Sequence, residues 1–416
     1  MEPEDSKKYF QSYRALRYLL AFGRLIGLGT FPMQRHGSME EVPKLVVAYS
    51  ITVCLVCVVM LFILLVLMFE SGRTIAKREE EKIFNVYILL TGWSACAVTA
   101  IECQVNFFFR RRRIHDLIVK MAEIPTAKDS EKMARSSRTS IMINCSFIAI
   151  LVSFIAFASY TQQIPLDLTV AVSSEAYLTV AAISRLTMVA ILHVIRSQFR
   201  NINEQIMTIG EDTLWARAVE NKEIIRNGSS LSMSEAAVCK VRQLASDHFQ
   251  LTEYCSQWAS LFGFNCVMIS VNTFFSVVCF GYTTVGKPLN LVHMNNLEIE
   301  ILCAFGWTII TVMGFVSVVN SCSDVAAEAN QTGRVISTAL LNINDEQLQV
   351  KLKDFSVQLL HSKVNFTACD LFSIEKSLFT SMGATIVTYF VIIIQFQMAD
   401  VPDAPTDSVG NETFVS

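Results

Sequence analysis

The sequence predicts an all-α polytopic membrane protein: seven transmembrane helices, a cytoplasmic N-terminus, an extracellular C-terminus and helical cytoplasmic extensions. Three observations carry that fold class. The 416 residues are 52% hydrophobic and 17% charged, with a mean hydropathy of +0.43. Seven apolar stretches reach the length of about 20 residues that a hydrocarbon core of about 30 Å demands. Lys and Arg, finally, are crowded to one side of those stretches.

The spans are Leu45–Phe69, Ile83–Phe109, Ile141–Tyr160, Leu168–Ile195, Ala259–Tyr282, Ile301–Ser323 and Ser377–Ala399. Before them, Tyr18–Phe31 is moderately apolar but is broken by Arg24 and by glycines at 23, 27 and 29. With no small-residue cleavage site after it, it reads as an interfacial or re-entrant helix rather than a secretory signal. The segments on one side (the N-terminus through Lys44, then 110–140, 196–258 and 324–376) hold 28 Lys and Arg, against 5 on the other. Positive charge stays in the cytoplasm. The N-terminus is therefore expected inside and the C-terminus outside.

That orientation is opposite to a seven-span G-protein-coupled receptor. No Asp-Arg-Tyr or Asn-Pro-x-x-Tyr motif occurs, and the second span ends in Phe107-Phe108-Phe109 followed by Arg110 to Arg113. None of the twelve cysteines falls in a predicted outer loop, so their expected role is burial. A secondary transporter would show paired halves and broken helices, which seven unlike spans do not. Asp, Glu and His never gather at metal-ligand spacing, and no nucleotide-binding loop or catalytic constellation is present. An enzyme, a cofactor and a nucleic-acid partner are not expected.

The soluble mass is expected inside the cell. Phe199, Ile202, Ile206 and Ile209 continue the fourth span at helical spacing. Ser232 to Glu235 reads as a capping box that starts a helix running into the fifth span. Leu348, Leu352, Phe355 and Leu359 make a further amphipathic stripe. The domain reading is a cytoplasmic N-terminal segment (1–44), a six-helix bundle (45–323) with the extension 196–258, a cytoplasmic helical anchor (324–376), the seventh helix (377–399) and an extracellular tail (400–416).

In the seventh span, Ser381, Thr385, Thr388, Ile392 and Gln395 are separated by 4, 3, 4 and 3 residues and share one helix face. Lipid-facing positions do not favour hydroxyls and an amide in sequence. The stripe is either a helix–helix seam or, with several copies around an axis, a pore wall.

The same span carries a motif. Thr388-Tyr389, five apolar residues and then Gln395-Phe396 resembles the C-terminal signature of insect gustatory receptors, and Phe366-Thr-Ala-Cys369 with Phe372 resembles the approach to that family's last helix. The motifs cover about the last fifty residues; the length and inverted topology extend the resemblance to the whole chain. It implies a chemosensory receptor in the plasma membrane of sensory neurons, built as a ligand-gated, nonselective cation channel. A tetramer, homomeric or with related receptors, would open on binding a small-molecule tastant. The last helix would line the pore, with Gln395 and Phe396 at the outer constriction and Ile392, Thr388, Thr385 and Ser381 below. The other six spans would hold the ligand. Sugar-branch members typically place an acidic residue after the Thr-Tyr pair, and Phe390 stands there instead. That favours a bitter-type ligand and leaves a fructose-type or other sugar receptor as the alternative.

Depth suggests where a ligand sits. At about 1.5 Å per residue, Trp93, Tyr177, Asn272 and Trp307 lie roughly 15 Å below the outer surface, with Glu175 slightly shallower. Aromatic faces with a few polar groups suit a small-molecule pocket; core packing explains each residue taken alone. Glu102 and Arg185 lie 19 and 17 residues from the outer starts of inward-running spans. Their similar depth makes a buried ion pair one expectation and separate contact with water the other. Of the sequons, Asn411 alone is expected outside and glycosylated.

Overall fold

The computed structural model describes residues 34–35, 38–39, 44–76, 81–123, 146, 153, 165–220, 230–286 and 297–399. Among the described residues eight helices dominate: α1 (Lys44–Ala76), α2 (Glu81–Phe109), α3 (Arg111–Glu123), α4 (Pro165–Glu220), α5 (Ser230–Gly286), α6 (Leu297–Asn342), α7 (Glu346–His361) and α8 (Ser377–Ala399). Two antiparallel pairs accompany them, β1 (Gln34–Arg35) with β2 (Ser38–Met39) and β3 (Thr367–Ala368) with β4 (Phe372–Ser373). Among the described residues the one proline, Pro165, opens α4. A first-turn proline loses no helical hydrogen bond, so the long helices run without a proline break.

Among the described residues, five helices are long and apolar enough to cross a membrane: Lys44–Ile63, Ala176–Gly210, Glu235–Tyr282, Ala304–Asn342 and Ser377–Gln395. Ser94–Phe109 is a shorter apolar helix at the second expected span. Of the third, Ile141–Tyr160, only Ser146 and Ser153 are described, and the N-terminal stretch Tyr18–Phe31 lies outside the described residues. Helices α4, α5 and α6 have 56, 57 and 46 residues. At about 1.5 Å per residue each is roughly twice the hydrocarbon thickness or more, so each continues well beyond the bilayer. The Ser232 side chain of the capping box also falls outside the described set, while Glu235 is exposed; α5 begins close by, at Ser230.

The extensions bury their apolar stripe inside the subunit. Phe199, Ile202 and Ile206 are at most 2% exposed, as are Leu348, Leu352 and Phe355 of α7. Each such burial contributes about 1.5–3 kcal/mol. Asp345 caps α7 by accepting from the Gln347 amide at 3.0 Å. His248 of α5 stands edge-on to Phe199 (5.0 Å) and Phe355 (5.7 Å), joining α4, α5 and α7. Beside it, Asn203 donates to the Glu328 carbonyl at 3.1 Å and accepts from the Thr332 hydroxyl at 2.7 Å, so α4 and α6 are bonded in register.

The β3–β4 hairpin leads from this assembly to α8. Cys369 and Asp370 both have positive φ (51° and 57°), and Leu371 donates to the Ala368 carbonyl at 3.0 Å. Two consecutive left-handed residues make a primed turn, which suits the strand twist; the Thr367 hydroxyl steadies Asp370 at 2.9 Å. The hairpin lies directly on α5. A Cβ placed on Gly263 would come within 3.0 Å of the Cys369 amide nitrogen. Phe366 is buried edge-on against Trp258 at 5.5 Å. Asp324 of α6 meets Arg196 of α4 at 2.8 Å and Lys376, just before α8, at 3.9 Å. The start of α8 is thus held to the same helices that form the bundle.

Candidate functional site

Helix α8 lies against α5 through one face. Phe379, Met382, Ile386, Phe390 and Ile393 are half-buried and recur at helical spacing. The Phe390 ring covers the bare backbone of Gly281, where an added Cβ would come within 2.5 Å of it. Tyr389 meets Phe274 edge-on at 5.5 Å, and Phe379 meets Phe315 at 5.7 Å.

The polar stripe occupies the other side. Ser381, Thr385, Thr388, Ile392 and Gln395 are all exposed in the single chain. Ser381, Thr388, Ile392 and Gln395 each stand two residues on from a member of the packed set, hence about 200° around a helix of 3.6 residues per turn, and Thr385 shares their stripe. The hydroxyls of Ser381, Thr385 and Thr388 donate to carbonyls four residues back, at 3.3, 2.9 and 3.0 Å. Their own donors are satisfied, and their oxygens keep a lone pair turned outward. The Phe396 side chain lies outside the described residues.

Of the residues placed at pocket depth, Trp93 and Glu175 have side chains outside the described set. Tyr177 is 2% exposed and its hydroxyl donates to the Cys57 carbonyl at 2.7 Å, which makes it a tie between α4 and α1. Trp307 is half-buried against the core. Asn272 is fully buried, and among the described residues neither of its side-chain polar atoms has a hydrogen-bond partner.

Glu102 and Arg185 do not pair. Asn265 of α5 donates to the Glu102 carboxylate at 2.8 Å and is itself hydrogen-bonded by Asn106, which also donates to the Leu261 carbonyl at 3.0 Å. One turn further in, Arg110 donates to the Ser260 and Leu261 carbonyls at 2.6 and 2.9 Å. Glu102, Asn106 and Arg110 thus form a polar seam at i, i+4 and i+8 stitching α2 to α5. The spacing was legible in the sequence; its partner Asn265, 163 residues from Glu102, was not. The Arg185 side chain instead lies on α6 at Gly314, where any Cβ would collide with it. Similar depth brought the two charges to one layer, but the Asn265 amide takes the carboxylate.

Among the described residues no group of three His, Cys, Asp or Glu could hold a metal ion. A family model, 7tm chemosensory receptor, matches residues 16–400.

The chain belongs to the 7tm chemosensory receptor family.

Curated relatives of this chemosensory receptor are gustatory receptors of Drosophila melanogaster. Putative gustatory receptor 28b is 29% identical over 103 residues, 25% of this chain and 21% of that protein. Gustatory receptor for sugar taste 43a is 27% identical over 174 residues, 41% of this chain and 40% of its own length. The matched stretches therefore span from about a fifth to two fifths of these relatives. The insect gustatory motif read from α8 agrees with them. Among solved structures, the insect olfactory receptor OR5 from Machilis hrabei in complex with eugenol superposes with a TM-score of 0.66 at 12% identity. The superposition covers 93% of this chain and 99% of that one, and it establishes a shared fold.

Proposed function

We propose that the protein is a gustatory receptor in the plasma membrane of sensory neurons, acting as a ligand-gated, nonselective cation channel of four subunits. The carrying observation is the geometry of α8. Its polar stripe is turned about 200° away from the face that packs on α5, so the bundle of its own chain does not use it. Four copies around an axis would place Ser381, Thr385 and Thr388 along a water-filled wall. A ring of Ile392 would resist ion passage by dewetting, and Gln395 and Phe396 would form the outer constriction. Seven spans with the N-terminus inside put that constriction on the extracellular side. A small-molecule tastant bound among the other spans, at the depth of Asn272 and Trp307, would open the pore by moving α5 and with it α8.

Current recording from cells expressing this chain, against sugars and bitter compounds, tests the reading. Ligand-evoked, cation-carrying current is expected. Steady uptake without current would contradict it in favour of a transporter, and a response needing a G protein would contradict it in favour of a coupled receptor. A current seen only with a second receptor co-expressed would identify a heteromer.

Two observations bear on the ligand. Phe390, in place of an acidic residue, favours a bitter-type compound; in the folded chain it sits on Gly281, so it shapes the α5–α8 contact. Similarity to the sugar-taste receptor 43a favours a sugar as the second reading. The same panel separates them.

A further inference from the structure

The run Arg110 to Arg113 closes the second expected span, and the channel reading makes no use of it. The apolar helix Ser94–Phe109 ends there, with Phe109 77% exposed. An aromatic side chain followed by cations marks the border of a membrane. A neighbouring helix fixes the same level independently. Arg110 donates to the Ser260 and Leu261 carbonyls, where the fifth expected span begins at Ala259. Arg110 is therefore committed to α5, and Arg111, Arg112 and Arg113 remain.

The backbone stays helical through this junction. The Arg110 amide donates to the Asn106 carbonyl and the Ile114 amide to the Arg110 carbonyl, both at 3.0 Å. At about 1.5 Å per residue, the three arginines lie roughly 3–6 Å beyond Phe109, the depth of a phospholipid headgroup. Helix α3 does not lay its apolar face on the bilayer. Ile114, Leu117, Ile118 and Met121 are at most 3% exposed, and the helix packs against α4 and α5. Its polar side is thus held outward on a fixed support, with Arg112 and Arg113 exposed. The Arg111 guanidinium stacks over the Phe108 ring at 4.9 Å, which orders the cation without neutralising it. Among the described residues none of the three meets a carboxylate. Asp116, the next acid along α3, meets His115 instead, at 3.7 Å.

We propose that Arg111, Arg112 and Arg113 bind the phosphorylated headgroup of an anionic lipid, a phosphoinositide, in the leaflet where the second span ends. In the proposed topology that is the cytoplasmic leaflet. Each guanidinium fork can give two parallel hydrogen bonds to phosphate oxygens. A basic cluster directly beside the inner end of a membrane-crossing helix is the electrostatic footprint of such lipids. Phe109 would rest among the acyl chains. An acidic peptide would match the same charges but gives no role to an exposed phenyl ring on a membrane-crossing helix, so the lipid is the favoured partner. The site goes beyond the channel reading and does not depend on it.

The test is thermal unfolding of the purified full-length protein in detergent with dioctanoyl lipids: phosphatidylinositol bisphosphate, phosphatidylserine and phosphatidylcholine. Inositol trisphosphate serves as the headgroup without chains. The bisphosphate lipid is expected to stabilise the protein at a concentration about tenfold below phosphatidylcholine, with phosphatidylserine between them and inositol trisphosphate weaker than the lipid. Arg112→Gln with Arg113→Gln should abolish that preference, and Arg112→Lys with Arg113→Lys should retain part of it. Phe109→Ala should weaken the lipid but not inositol trisphosphate. Arg242→Gln with Lys353→Gln, which removes two exposed cations from the helical extension, should leave the preference intact. Headgroups acting alike, or a preference undiminished in the arginine-to-glutamine pair, would overturn the assignment. So would an equal loss in the Arg242 and Lys353 pair, or inositol trisphosphate acting as strongly as the lipid. If the arginine-to-glutamine pair fails to fold, the wild-type series and the lysine pair still decide. The channel reading fails separately: headgroup selectivity without any evoked current contradicts the channel but not this site. Ligand-evoked current without headgroup selectivity contradicts this site alone.

Discussion

His248 lies between the Phe199 and Phe355 rings with Nε2 3.4 Å from the Ala329 carbonyl, the contact that closes the helical extension below the bundle. Burial holds its pKa down, from an ordinary 6.5 to about 4. The folded protein therefore keeps this imidazole neutral where an unfolded chain would protonate it. Stability from the site is complete above pH 6.5 and is lost as pH falls from 6.5 through about 4. At about 1.4 kcal/mol per pH unit, the whole loss is on the order of 3 kcal/mol. Unfolding midpoints measured across that window should fall for the wild type, and the slope should flatten in His248→Phe. Equal slopes would mean that other groups set the acid limit.

At the scale of elements, the contact between α5 and α8 is the one that moves in the proposed opening. Phe390 rests on Gly281 with no room for a methyl group. Gly281→Ala should overpack the seat by about 1–3 kcal/mol and push α8 off α5, shifting the ligand dose response. Phe390→Leu should restore much of it in the double variant, a coupling that additive singles would disprove. Much of this architecture was legible from sequence because helix length, apolar runs and the 3.6 period are local properties. The polar stripe of α8 and the buried stripe Leu348, Leu352 and Phe355 of α7 were both readable in that way. The partners were not. That Gly281 seats Phe390, that Gly314 seats Arg185 and that Asn265 takes Glu102 depend on how distant helices rotate against one another. A single sequence records no pairing between such positions. Similar depth suggested an ion pair where side-chain geometry made two separate sites.

For the whole molecule, topology and pore stand or fall together. In the proposed topology the charge asymmetry would place the tail outside, so Asn411 should carry glycan when the protein is expressed in a secretory-competent cell, and Asn227, Asn330 and Asn365 should not. Glycan on any of those three would reverse the orientation. The central claim is that the face of α8 turned from α5 lines the ion path. Single cysteines at Thr388, Ile392 and Gln395, treated with a charged thiol reagent during ligand-evoked current, test it most directly. The account predicts block at all three and none at Ile386 or Val391. Block at Ile386 or Val391 with Ile392 and Gln395 indifferent would show that a different face of α8 meets the ions, and would contradict the pore described here.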